Sequence, residues 1–480
     1  MTLGSRIAVV GGGLSGLVAA YRLRRELGTS VEITVFESAS ALGGKLRTID
    51  LAGRRYDVGA EAFLARRPEM TALVREIGLG DLLVHPTGAR AKVHAGGSVL
   101  GLPSGTVMGV PASADAVAGV LSEHGRRAVA AESTLLPPVL PQHEDVALGA
   151  LLRERFGDEL VDRLVDPLLG GVYAGGADGL GLRAVMPALA AKVDAGATSL
   201  TEAASQLMPA SPSTAPVFGT LVGGLGTLVD KLAELANADV RLGTTVRTLS
   251  RNTSHTASGW HLEFGAAAHA HAPADSPFDV DAVVLAVPAP AARRLLDGVA
   301  PEAAAAYGEV ELASMAVVAL ALPPGTKLPE DSGVLIGVGE RYAGGTPFAA
   351  KAFTFSSRKW AHLGTEDPDA PVVLRGSVGR FGDIATLQAS DEDLIGVVRA
   401  DLAELTGITT DPLDAVVTRW GGGLPQYGWG HLDRVDRIER AVAELPGLAV
   451  AGATLHGVGL PACVATADAA AMRITSWLAR

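Results

Sequence analysis

The stretch "VVGGGLSGLVAAYRL", Val9 to Leu23, carries Gly11, Gly13 and Gly16 in the spacing G-x-G-x-x-G. Each glycine has a separate job in binding a pyrophosphate. Gly11 permits a tight turn after a strand. Gly13 removes a side chain where backbone must approach the phosphates, and Gly16 lets a helix pack closely on its sheet. With Gly12, Leu14 and Ser15 they form a helix N-terminus whose free N–H groups suit an anion. Glu37 stands 21 residues beyond Gly16. A carboxylate there accepts hydrogen bonds from both ribose hydroxyls and repels the extra phosphate of NADP. Ser38 beside it is a candidate contact for the adenosine end.

The next segment, "ALGGKLRTIDLAGRRYDVGAEAF", brings a second glycine pair, Gly43 and Gly44, followed by Lys45 and Arg47. A second glycine turn with basic residues reaches the same pyrophosphate from the other side. A nicotinamide coenzyme does not need that enclosure, whereas a permanently held FAD does. "DVGAEAF" then passes near the flavin: Gly59 and Ala60 are small enough for close backbone approach, and Ala62 is counted with the cofactor-binding residues. Glu61 is either a functional contact or a solvated carboxylate.

These residues need a βαβ unit to hold them. "RIAVV" reads as a buried parallel strand, "LSGLVAAYRLRREL" as a helix and "SVEITVF" as the second strand. "DVRLGTTVRTLSR", "WHLEF" and "VDAVVLAVPAP" read as later strands of the same sheet. "GLAVAGATLHGVGLPACVATADAAAMRITSWLA" reads as a strand, a glycine-rich turn and a long helix. The fold expected is α/β: a discontinuous Rossmann-like FAD-binding domain (1–80 with 218–295 and 418–480), an α+β substrate domain (81–103 with 296–417) and a mainly helical insertion (104–217).

Composition narrows the function. The net charge of −12 excludes a basic nucleic-acid surface. The single cysteine, Cys463, excludes an intrachain disulfide and a redox pair, and it reads as a small core residue rather than a covalent flavin anchor. FAD is therefore expected to be held non-covalently. No apolar run is long enough for a transmembrane helix, and the N-terminus is no signal peptide. A cytoplasmic protein is expected, with peripheral membrane contact left open. His269 and His271 lie in "AAAHAHAPADSPFD" without acidic or cysteine partners at ligand spacing, so a surface hairpin insertion is expected and no metal.

The chain resembles the FAD-dependent amine oxidase and desaturase superfamily. The first two motifs and "DVGAEAF" resemble its N-terminal region, and "FGTLVGGLGTLVDKLAE" resembles its double-glycine helix start. "TTVRTLSR" resembles the strand whose valine, Val246 here, meets the adenine end. "LAVAGATLHGVGLPACVATADAAA" resembles the C-terminal flavin motif. The resemblance puts Val458, Gly459 and Leu460 against the pyrophosphate and isoalloxazine. Within the superfamily, "VDPLLGGVYAGGADGL", "RWGGGLPQYGWGHLDRV" and "GVGLPACV" are similar to segments of the coproporphyrinogen and protoporphyrinogen oxidases. One departure is "YAGGADGL", where many relatives carry Asp directly after the first Gly. Trp420 is counted with the cofactor-binding residues. With Tyr427 and Trp429 it also imitates the aromatic flank of an amine oxidase.

The resemblance implies oxidation of coproporphyrinogen III to coproporphyrin III in heme biosynthesis. This is a six-electron reaction in three hydride steps to the flavin N5, with O2 as acceptor and H2O2 released. The Ala/Gly/Arg-rich composition resembles that of actinobacterial proteins, whose members of this family commonly use coproporphyrinogen III; protoporphyrinogen IX is the runner-up substrate. A flavin amine oxidase, a carotenoid desaturase and a flavoprotein scaffold without turnover are the remaining readings. A downstream heme-pathway enzyme is a further candidate partner. The substrate carboxylates call for a buried cation. Arg90 in "GARAKVHAGG" resembles the arginine that meets a propionate, with Lys92 as its rival. No proton-accepting residue is identifiable.

Overall fold

The computed structural model describes residues 4–141, 144–209, 215–252, 259–266, 278–364 and 367–480. His269 and His271 lie outside the described residues. The first strand, Arg6–Val10, shows how the sequence builds the nucleotide unit. Its side chains alternate between two faces. Ile7 and Val9 enter one core, and Ala8 and Val10 enter another. A strand covered on both faces is the parallel-sheet pattern. The five-stranded sheet runs in the order Asp239–Arg241, Glu32–Phe36, Arg6–Val10, Ala282–Leu285, Leu448–Val450, with every pairing parallel. The helices Leu14–Leu27, Gly226–Ala236 and Leu460–Leu478 cover the first face. The strands come from the start, middle and end of the chain, as a discontinuous domain requires.

The expected single sheet divides in two. Asp239–Arg241 joins the parallel sheet, but Thr244–Asn252 pairs antiparallel with Gly259–Ala266, which pairs with Phe278–Val280. Leu242 and Gly243, the latter at φ 64°, turn the chain out of the parallel sheet. The resulting three-stranded sheet packs over the second face through Val246, Leu249, Trp260 and Leu262.

The second unit is a seven-stranded sheet ordered Asp414–Pro425, Leu312–Leu322, Val372–Val378, Ala350–Thr354, Gly333–Ile336, Ala91–Ala95, Ser98–Gly101. One face packs on the helix Asp391–Thr406 through Ala316, Val318, Leu320, Phe353 and Leu374. The other face meets the hairpin Thr48–Leu51 and Arg54–Asp57: Ala319, Ala321 and Val373 pack on Leu51, Tyr56 and Val58. The strand Asp414–Pro425 pairs with Leu312–Leu322 without breaking at residue 418, so Trp420 belongs to this sheet and not to the parallel one. Residues 104–217 supply short helices around a third core that includes Leu148, Leu152, Phe156, Leu164 and Leu169. No helix among the described residues is long and apolar enough to cross a membrane.

Candidate active site

Every glycine of the first motif can be assigned a reason. Gly11 has φ 106°, and a Cβ there would stand 2.3 Å from the Ala286 carbonyl oxygen. A Cβ at Gly16 would stand 1.8 Å from the Gly11 carbonyl oxygen. Both are dictated by the protein's own packing. Gly13 is different. Its φ of −76° suits any residue, and a Cβ would meet nothing closer than 3.9 Å. The protein leaves that space open at the N-cap of Leu14–Leu27, a helix start with no side-chain cap. An open cradle beside uncapped N–H groups is what a pyrophosphate requires.

Glu37 ends the neighbouring strand. Its Oε2 accepts from the Gly12 N–H at 2.7 Å and its Oε1 from the Ala39 N–H at 2.8 Å. These bonds fix the carboxylate while leaving lone pairs for ribose hydroxyls. Ser38 is exposed and donates to Glu37 Oε1 at 3.2 Å. The carbonyl of Glu37 accepts from the Thr244 N–H, which starts the strand carrying Val246. Val246 is buried, and its carbonyl accepts from Arg294 at 3.1 Å. The Ser15 hydroxyl is occupied: it donates to the Cys463 carbonyl at 3.2 Å and ties the two long helices together at their N-terminal turns. Ser15 can therefore offer a ligand its backbone rather than its hydroxyl hydrogen. Cys463 is a buried member of the core, as expected.

The second glycine turn closes the cradle. Gly43 donates its N–H to the Gly12 carbonyl at 2.8 Å, and Gly44 lies 3.9 Å from the Cβ position of Gly13. Lys45 follows with no ion-pair partner among the described residues, and burial pushes its ammonium below the usual lysine range. Its carbonyl accepts from the Ala60 N–H at 3.0 Å, and a Cβ at Gly59 would stand 2.0 Å from the same oxygen. Trp420 covers Gly59 from the other sheet and donates its indole N–H to the Val58 carbonyl at 3.0 Å. Ala62 is half-buried on the same loop.

Glu61 is not a solvated carboxylate. It is buried and pairs with Lys359 and, at 3.1 Å, with Arg375. Burial opposes its ionisation, but Arg375 and Lys359 outweigh that and hold its pKa at about 2. Arg375 also donates to the Gly59 carbonyl at 2.8 Å, so this ion-paired group pins the Gly59–Glu61 loop to the sheet.

At the far end of the chain, Gly459 is the N-cap of Leu460–Leu478, again without a side-chain cap. Val458 packs on the core of the helical insertion and Leu460 on that of the nucleotide unit. This loop is where the units meet. Behind it, Tyr427 donates to the Ala453 carbonyl at 2.6 Å and stacks on His431. His431 in turn meets the Leu455 carbonyl at 3.0 Å.

The sequence candidates for a carboxylate partner fall elsewhere. Arg90 is exposed and Lys92 pairs with Asp331 at 2.9 Å. The expected buried cation is not found at either position. Sequence reasoning missed two cations: Lys351, buried on the strand Ala350–Thr354, and Arg380, which lies between the seven-stranded sheet and the helical insertion. A lone lysine inside the apolar run "FAAKAFTF" was the available signal.

No group of three or more potential ligands for a metal occurs among the described residues. The cradle has a different chemistry. Two uncapped helix starts, a half-buried lysine and a fixed carboxylate fit the pyrophosphate and ribose of a dinucleotide. The Gly43–Lys45 turn encloses more of it than a nicotinamide coenzyme requires, and the class defined is that of an FAD-dependent oxidoreductase.

The chain belongs to the flavin containing amine oxidoreductase family, whose model matches residues 14–475. It is 43% identical over 462 residues to the coproporphyrinogen III oxidase of Mycobacterium tuberculosis, covering 96% of this chain and 95% of that one. The coproporphyrinogen III oxidase of Bacillus subtilis is 31% identical over 484 residues, covering 98% of both. Among solved structures, a protein from Exiguobacterium sp. assigned as a protoporphyrinogen oxidase superposes with a TM-score of 0.82 at 32% identity, covering 98% of this chain and 99% of that one.

Proposed function

We propose that this chain oxidises coproporphyrinogen III to coproporphyrin III, holding FAD non-covalently and passing the electrons to O2. The observation that carries the substrate assignment is the near full-length likeness to coproporphyrinogen III oxidases. Bound FAD supplies two-electron oxidation by hydride acceptance, and three such steps convert one porphyrinogen to one porphyrin with three O2 reduced to three H2O2.

The chain's own residues bind and orient. The N–H groups following Gly13 and Gly459 take the pyrophosphate, with Lys45 as its counter-charge. Glu37 takes the ribose. Trp420 and the Glu61–Arg375 pair keep the Gly59–Ala62 loop rigid beside the flavin, so that a substrate carbon meets a fixed hydride acceptor. A non-covalent flavin agrees with the placement of Cys463, whose thiol is buried in the helix core with its pKa raised by burial.

Aerobic assays with coproporphyrinogen III, protoporphyrinogen IX and a panel of amines test this reading. Porphyrin fluorescence should rise fastest with coproporphyrinogen III, and acid precipitation should release the yellow flavin into the supernatant. Faster product formation from protoporphyrinogen IX moves the assignment to the activity given for the Exiguobacterium protein. Peroxide formed from an amine alone would overturn it.

A further inference from the structure

The sheet face above the flavin loop carries a buried lysine that nothing described so far uses. Lys351 is 4% exposed, and its Nζ lies 3.9 Å from Met315 Sδ. Met315 is the register partner of Trp420, whose indole rests on Gly59. Lys351 is thus on the side of the sheet that faces the flavin loop. Burial and the nearby Arg380 guanidinium both push its ammonium down, to about 7.

Arg380 follows the strand Val372–Val378. It donates to the Ile336 carbonyl at 2.8 Å, and its Nη1 lies 3.4 Å from the Cβ position of Gly170 on the helix Asp166–Tyr173. Its own pKa is lowered by burial, with Asp166 and Asp383 opposing. Neither acid forms an ion pair with it, and Lys351 has no carboxylate partner among the described residues. Lys351 is therefore buried, and Arg380 half-buried and near enough to act on its charge, with no ion-paired carboxylate for either among the described residues, which is costly unless something else brings an anion.

The helix opposite supplies room. Gly170 and Gly171 stand consecutively in it, and a Cβ at either would meet only ordinary contacts, 3.4 and 3.7 Å away. Packing does not demand glycine at these two positions, and glycine weakens a helix. The smallness of Gly170 leaves room beside the Arg380 guanidinium.

We propose that Lys351 and Arg380 form a carboxylate-binding pair that takes a side-chain carboxylate of the tetrapyrrole and orients the macrocycle over the flavin. This rests on the proposed function for the nature of the ligand. The two residues act by positioning: the carboxylate supplies the missing anion, and the charge-assisted bonds are directional.

The test compares coproporphyrin III with its tetramethyl ester, which keeps the macrocycle and loses the charges. Equilibrium binding is followed by fluorescence for the wild-type holoenzyme and for Lys351→Met, Lys351→Arg and Arg380→Gln. Wild type should prefer the free acid by about 10- to 100-fold. Lys351→Met and Arg380→Gln should lose most of that preference while binding the ester as before, and Lys351→Arg should retain it. A wild type without acid preference, or a Lys351→Met holoenzyme that keeps it, overturns the proposal. Turnover of coproporphyrinogen III by the wild type is scored separately and bears only on the proposed function. Where Lys351→Met fails to bind FAD, Arg380→Gln and Lys351→Arg still decide the outcome.

Discussion

Among single residues, Gly13 and Gly16 separate what the protein needs from what its ligand needs. Both were legible as glycines of one motif, yet the structure gives them different masters. Gly16→Ala drives a methyl into the Gly11 carbonyl and should destabilise the apoprotein. Gly13→Ala has an allowed backbone and open space, so the apoprotein should melt within about 1 °C of wild type while FAD affinity falls at least about tenfold. Thermal melts of apoprotein and flavin titrations check this pair. Equal loss of apo stability in both variants would contradict the open cradle. Glu61 shows why some residues were not legible. Its role depends on Lys359 and Arg375, about 300 positions away, and no local pattern links them. Lys351 is the same case in reverse: it is defined by the absence of a carboxylate partner among the described residues.

The elements were legible where periodicity and glycine spacing agree. Apolar alternation, an open helix start and an acidic strand end all point one way, so the first strand and first helix follow the expected bounds, and the second strand departs from them only by starting two residues late, at Glu32. The antiparallel sheet at Thr244–Asn252 was assigned to the wrong sheet, because a strand sequence does not state its partner. The strand Asp414–Pro425 crosses an expected boundary for the same reason. The helix His431–Ala443 carries a prediction of its own. His431 opens it, fully buried and stacked on Tyr427 with ring centroids 3.8 Å apart. Burial pushes its pKa down from 6.5 to about 4. The folded state thus resists a proton that the unfolded chain accepts. Its contribution to stability is complete above pH 6.5 and is lost as pH falls through about 4. His431→Phe should melt earlier at pH 7 but show a flatter fall in Tm between pH 6.5 and 4. An unchanged slope would contradict the assignment.

Taken whole, the molecule assembles its site from distant chain segments. The cradle uses residues 11–62, the roof uses the strand bearing Trp420, and the loop at Val458–Leu460 joins the nucleotide unit to the helical insertion. This explains why the electron carrier could be read from a short N-terminal stretch and the substrate could not. The proposed FAD contacts fall in contiguous motifs, whereas the proposed carboxylate contacts, Lys351 and Arg380, come from separate segments, and Arg380 meets Gly170 only after folding. The net charge of −12 adds a constraint: a carboxylate-bearing substrate would have to be favoured locally, as proposed for Lys351 and Arg380, against the field of the whole protein. A complete six-electron oxidation with O2 as acceptor fixes the ratio of H2O2 to coproporphyrin III formed under air, measured with O2 in excess and without catalase. Three peroxides should form per porphyrin, with the porphyrin identified by its absorption spectrum. Porphyrin formed without peroxide, or peroxide formed without porphyrin, would rule this reaction out.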